Sequence, residues 1–225
     1  MKQSLCGIAL LAMIISSAKA VTVVPMGLNP GDNYRLAFVT STTRNATSNN
    51  IADYNAFVTG VANTVPELIA LGTTWTAIGS TFTVDARDNT GTNPTSSPGV
   101  PIYLLNDTKL ADNNADLWNG DIDNPLEISE AGTALNVLVW TGTGPTGFAS
   151  LGSWLGNNIA RTGVSGLSNA IWINAGVPST ASLMGMYAVS AVVTVVPVQG
   201  ASWLFGSALA LLGAARKRNR QAATT

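Results

Sequence analysis

Two apolar blocks bracket the chain and set how much of it is left to fold around a core of its own. On the C-terminal side every residue in 201–215 is Ala, Leu, Phe, Trp, Gly or Ser, and the run stops at Arg216-Lys217-Arg218. A helix over about residues 200–215 would cover roughly 24 Å at about 1.5 Å per residue, slightly short of a bilayer core of about 30 Å. Such a segment can be a buried helix, a membrane anchor or a piece that is removed. A core helix needs no terminal basic cluster, whereas a membrane helix holds its bases on the cytoplasmic side and a tryptophan such as Trp203 at the outer interface. On the N-terminal side Lys2 precedes the apolar residues 5–15, and Ala18-Lys19-Ala20 has the small-x-small form of a cleavage site. That is the pattern of a secretory signal peptide (residues 1–20), cut by signal peptidase after Ala20 and too short in its apolar part to span a membrane. Residues 21–195 are left as one extracytoplasmic domain, a normal size for a single core.

The composition agrees with export. Only 10% of the residues are charged, and the middle of the chain mixes abundant Thr, Asn, Ser and Gly with Val, Ile, Leu and Trp. Cys6, the single cysteine, falls inside the signal segment, so the domain can build no disulfide, thiol nucleophile or cysteine metal site. The absence of histidine excludes a Ser-His-Asp triad, histidine-ligated zinc and imidazole acid–base chemistry. Any enzyme here would rely on carboxylates, Lys, Tyr or a bound metal. Within residues 21–200 five bases face twelve acids, a net charge of −7. Nucleic-acid binding needs clustered Lys and Arg, and the domain has no such patch.

Along the domain, residues 21–24 (VTVV) read as a short strand and Asn29-Pro30-Gly31-Asp32-Asn33 as a turn. YRLAFVT (34–40) reads as the first substantial strand. Ile51, Tyr54, Val58, Val61, Val65 and Leu68 recur at steps of three and four, the stripe of an amphipathic helix, with Pro66 restarting a second short helix and Gly72 ending it. Strands are expected at 74–79, 102–105, 136–141, 170–173 and 185–195, with a long polar loop before Ile102. One or two early helices followed by short antiparallel strands and long loops give an α+β fold.

Two resemblances add to this reading. Pro197-Val198-Gln199, the apolar GASWLFGSALALLG and the ending AARKR together resemble the PEP-CTERM sorting signal, with the motif at 197–199, the transmembrane helix at about 200–215 and the basic end at 216–220. Gln199 departs from the second proline of the family motif. The resemblance implies processing by exosortase, a transpeptidase in the inner membrane of Gram-negative bacteria, and then residence at the cell surface or in the extracellular matrix. In the domain, FVTSTT, TWTAIGST, VDARDNTG, ADNNADLWNGDIDNPLEISE and VWTGTGPTG appear in an order that resembles an endostatin-like, C-type-lectin-like bacterial surface domain. That family implies a compact α+β module that displays loops for binding and carries no catalytic residues to transfer.

Seven of the twelve acids fall in one segment, 107–130, together with four asparagines. Asp112, Asp116, Asp121, Asp123 and Glu130 are the candidate ligands for calcium, which takes about six to eight oxygens. The spacing matches no EF-hand loop, and the same residue types also cap helices and hold Asx-turns. Paired carboxylates could alternatively serve a glycosidase. Trp75, Trp140 and Trp172 sit in strand patterns and are expected in the core. Trp118, in the acidic segment, and Trp154, in a Gly-rich stretch, are the candidate ligand-binding tryptophans. The functional expectation is an exported, non-enzymatic protein that binds an exopolysaccharide or a surface protein. The alternatives are a carboxylate-dependent enzyme acting on exopolysaccharide and a purely structural matrix component.

Overall fold

The computed structural model describes residues 21–196. Ala18 and Ala20 at the expected cleavage site lie outside the described residues, as do Pro197, Val198, Gln199, Trp203, Arg216, Lys217 and Arg218 of the expected sorting signal. No described helix is long and apolar enough to cross a membrane.

The domain is mixed α/β, a curled sheet with few helices. YRLAFVT becomes β1 (Asn33–Val39), and all of it but Asn33 is buried, which is why the segment is apolar almost without alternation. Asn50 caps α1 (Ile51–Ala62) by accepting a hydrogen bond from the Ala52 N–H. Pro66 occupies the first turn of α2 (Pro66–Ala70), where its missing N–H costs nothing. The helical stripe buries Tyr54, Val58, Val61 and Leu68. The short strand β2 (Trp75–Ala77) lies against α1, and the Trp75 ring meets Phe38 edge-on at 5.0 Å. A helical turn, α3 (Ala86–Asn89), interrupts the long polar loop. Then follow β3 (Ile102–Leu104), β4 (Lys109–Ala111), α4 (Asn114–Leu117), β5 (Leu138–Trp140), β6 (Thr162–Val164), β7 (Gly185–Ser190) and β8 (Val193–Thr194).

The sheet order is β4-β3-β1-β7-β5-β6, with β2 also paired to β7 and β8 to the start of β1. Two pairings, β1 with β3 and β5 with β7, are parallel and correct the expectation of antiparallel strands throughout. Each joins strands separated by a long excursion of chain, the kind of connection a parallel pair requires. Residues 21–24 form no strand; Thr22 donates a single backbone bond to Leu105 O and Tyr34 Oη donates to Val23 O. Residues 170–173 also depart from expectation. Asn169 accepts the Ile171 N–H and starts a 3₁₀ turn over Ala170–Trp172. The Trp172 carbonyl then accepts from buried Tyr187 Oη at 2.9 Å and lies so close to Gly163 that a Cβ there would stand 1.9 Å from it. Burial holds the Tyr187 phenol well above its ordinary pKa.

Arg35 is the one charged side chain on β1. It reaches through the core to donate to Thr90 O, Gly91 O and Ser190 O, and burial pulls its pKa down. Backbone carbonyls thus replace the carboxylate partner that a buried cation would otherwise need. The outer sheet edges are closed in the same way. Asn55 accepts the Ala77 N–H, Asn89 donates to Ala77 O and Thr59 donates to Trp75 O, so side chains hold most of the outer rim of β2. Asn124 donates to Lys109 O on β4, and Thr162 on β6 exchanges backbone bonds with Ala175 and Gly176.

Candidate functional site

The acidic segment folds as a set of capped turns. Asn113 accepts the Asp116 N–H to start α4, Asp116 Oδ2 accepts the Asp112 N–H, and Asn119 donates to Asp116 Oδ1. The result brings one carboxylate oxygen each from Asp112, Asp116 and Asp123 within 4.8 Å of one another. Lys109 joins them: its ammonium is hydrogen-bonded to Asp112 and lies 3.9 Å from Asp123 Oδ2. Desolvation, together with the neighbouring Asp116 and Asp112, raises the Asp123 pKa against the pull of Lys109. The hydrogen bond from Lys109 to Asp112 raises the lysine in turn.

Of the five candidate calcium ligands, only these three converge. Asp121 is exposed, and its N–H is tied to Asn119 Oδ1. Glu130 is buried elsewhere, accepting from the Ser41 N–H at 2.9 Å and from the Ser41 hydroxyl. Three side-chain oxygens are fewer than a calcium ion's about six to eight, and an ammonium already sits among them.

Trp118 corrects an expectation. It is only 5% exposed, its Nε1 donates to Thr92 Oγ1 at 2.9 Å, and its ring packs 6.2 Å from that of Trp172. As the residue closing α4 it follows buried Leu117 inward, so no ligand can stack on it. Trp75, Trp140 and Trp172 are core residues, as the strand patterns suggested for them.

Trp154 takes the opposite course. Its half-buried ring stands 4.9 Å from that of Phe82, tilted by 51°, and Phe82 is 70% exposed. Beside Trp154 in sequence, Leu151 is 96% exposed and Phe148 46%. The backbone holds these apolar groups outward. Leu155 N donates to Ser80 O at 2.9 Å, and Thr81 and Leu155 form a parallel bridge. Gly142, at φ 60°, lets the two segments approach so closely that a Cβ would lie 2.5 Å from Ser80 O. The Asp85 carboxylate accepts the Ala149 N–H at 2.7 Å, and Arg87 N donates to Gly147 O. The Arg87 guanidinium carbon lies over the Phe148 ring, 3.4 Å from its centre.

The sequence reading picked out Trp154 and missed Phe82, Phe148 and Leu151. The signal was present, because Phe82 stands alone between Thr81 and Thr83, and FASLGSW punctuates apolar residues with Gly and Ser. The aromatic edge also has a definite position. The chain leaves the domain beside the start of β1, where Asn33 pairs Thr194. Ser80 and Thr141, which support the edge, lie alongside the other half of β7, where Ile78 N donates to Tyr187 O and Trp140 pairs Met186.

Two grooves mark the described surface elsewhere. One, of about 400 Å³ between Thr40, Leu138 and Met184, has no titratable side chain in its lining. The other, of about 470 Å³ between Thr22 and Ile128, has only Glu127. Neither presents the two facing carboxylates that hydrolysis of a sugar bond uses.

No protein-family model matches the chain, and no curated protein sequence matches it.

Proposed function

We propose that this is an exported, non-enzymatic ligand-binding protein of the bacterial cell surface or extracellular matrix, with an endostatin-like, C-type-lectin-like domain that grips polysaccharide through the Phe82–Trp154 edge. The observation that carries the reading is exposed Phe82 set against the half-buried ring of Trp154, on two segments fixed by backbone hydrogen bonds. Aromatic faces left in water cost free energy, and an apolar pyranose face stacked on them removes that cost. Rigid support means that little ordering entropy opposes binding. A curled sheet with few helices and long loops accords with the family resemblance. The alternative of an enzyme acting through carboxylates finds no facing pair in either described groove.

The resemblance to a sorting signal supplies the rest of the reading: signal peptidase cuts after Ala20, the C-terminal apolar segment pauses in the inner membrane, and exosortase cuts near Pro197-Val198-Gln199. Mass spectrometry of the secreted form tests this directly. A C-terminus within residues 197–200 is expected; an intact tail would make the protein a membrane-anchored one. Binding is tested by electrophoresis through gels loaded with polysaccharide. Retardation of the wild type is expected, together with its loss in Trp154→Ala and Phe82→Ala; unchanged retardation in both variants would move the site elsewhere.

A further inference from the structure

Resting on the reading of the Phe82–Trp154 edge as a glycan platform, we infer that its ligand is an acidic polysaccharide, whose carboxylates are recognised by Arg87. Among the described residues the domain has five cations, and four of them are engaged. Arg35 is consumed by core carbonyls, Lys109 by the acidic cluster, Arg44 by Asn45 O and Asp53 O, and Arg161 by Ser150 Oγ and Ala175 O. Arg87 is different. Its side chain makes neither a hydrogen bond nor an ion pair with a described residue and is held by its contact with Phe148, while its Nε, like that of Arg35, is buried without a partner. The nearby acids are otherwise occupied, since Asp85 accepts from Ala149 N and Asp88 from Asn93 Nδ2.

The geometry suits a planar anion. The contact with Phe148 occupies one side of the guanidinium, and its terminal N–H donors make no bond to a described residue, which leaves them for the charge-assisted bonds that a carboxylate accepts. The pair is also firmly placed. Gly147, at φ 82°, lies against Arg87 and Trp118 so tightly that a Cβ would come 2.9 Å from Arg87 Cβ and 2.8 Å from Trp118 Cδ2. Arg87 follows Phe82 by five residues around the turn closed by Thr81 N and Val84 O, and Phe148 precedes Trp154 by six. Cation and aromatic pair are thus carried by the same two loops, joined at Arg87 N–Gly147 O and at the Thr81–Leu155 bridge, while seven of the acids lie in the segment 107–130 around β4. A polymer of uronic acid residues offers both complements at each sugar: an apolar ring face for Phe82 and Trp154, and a carboxylate for Arg87.

The test compares polygalacturonate with its methyl ester, which keeps the rings and removes the charge. The full chain in a neutral detergent is run through calcium-free gels containing either polymer. Retardation by the acid is expected at about a tenfold lower polymer concentration than by the ester, and to fall to the ester's level in about 0.5 M salt. Arg87→Gln should abolish the difference while leaving ester binding intact, and Arg87→Lys should restore only part of it. Phe82→Ala should weaken both polymers. Tryptophan emission and the thermal midpoint verify that each variant is folded, and the salt series on the wild type needs no variant at all. Equal retardation by acid and ester overturns the assignment to acidic polymers while the aromatic platform stands. Retardation by neither polymer, nor by a neutral glucan, overturns both.

Discussion

The acidic segment 107–130 and the aromatic edge built from residues 80–87 and 142–155 are both polar, loop-rich stretches, yet they dispose of their side chains in opposite ways. The first gathers charge and a tryptophan and then spends them internally. Asp112, Asp116 and Asp123 converge, with Lys109 paired to Asp112 and Asp123, Glu130 binds Ser41, and Trp118 turns into the core. The second has little charge and many small residues, but its backbone bonds are satisfied by neighbouring loops and its large apolar groups are left outside. Density of functional residue types is therefore a poor guide to where a ligand can reach. What decides is which way the closing backbone bonds turn each side chain.

The sharpest way to break this contrast is to remove one tryptophan from each region. Trp118→Ala should cost about 3–5 kcal/mol, as deletion of a buried indole does, and should lower the thermal midpoint strongly. Trp154→Ala should cost on the order of 1 kcal/mol yet abolish polysaccharide retardation. If the effects were reversed, the assignment of the two regions would be reversed as well. Next in size is Gly147→Ala. Its positive φ and its contacts with Trp118 and Arg87 predict a loss of about 1–3 kcal/mol, measurable by urea denaturation.

Smaller effects should come from the acidic cluster. Because an ammonium already pairs with Asp112 and Asp123 and the cluster offers only three carboxylates, millimolar calcium should leave the wild-type midpoint in place. In Lys109→Gln the same titration should raise it, and a wild-type rise that Asp116→Asn removes would instead put an ion at these oxygens. The smallest effect concerns pH. The folded pKa of Asp123 is raised, chiefly by desolvation and then by Asp116, with Asp112 adding and Lys109 opposing. A raised carboxyl contributes stability in its protonated form, present below the ordinary carboxylate range and lost as pH rises through the raised pKa. Asp123→Asn should flatten the fall in thermal midpoint across that range.

Much of the scaffold was legible because the signals were local. YRLAFVT had too few polar residues for anything but a central strand, the stripe from Ile51 to Leu68 had the helical period, and Pro66 marked a helix start. AIWI at 170–173 has strand-like composition, but the Asn169 cap and the closeness of Gly163 to Trp172 O impose a 3₁₀ turn. Parallel pairing of β1 with β3 depends on a crossover whose direction no short stretch records. The site was half legible for the same reason. Trp154 announced itself, whereas its partner Phe82 lies far away in sequence and meets it only through the Thr81–Leu155 bridge. Arg35 shows the limit most plainly: a charge in an apolar strand looks like a surface residue until the carbonyls of Thr90, Gly91 and Ser190 are assembled around it.

The side chains that close the rims of β2 and β4, and the turn that closes β6, bear on how copies of this domain behave together. Open strand rims invite neighbouring molecules to merge into a continuous sheet, a hazard that grows with crowding. With Asn55, Asn89, Thr59 and Asn124 already holding those backbone groups, the domain can be packed densely on a surface or along a polymer and each copy stays a separate body. No cysteine is needed for this, so a change in the redox state of the surroundings leaves that separateness intact.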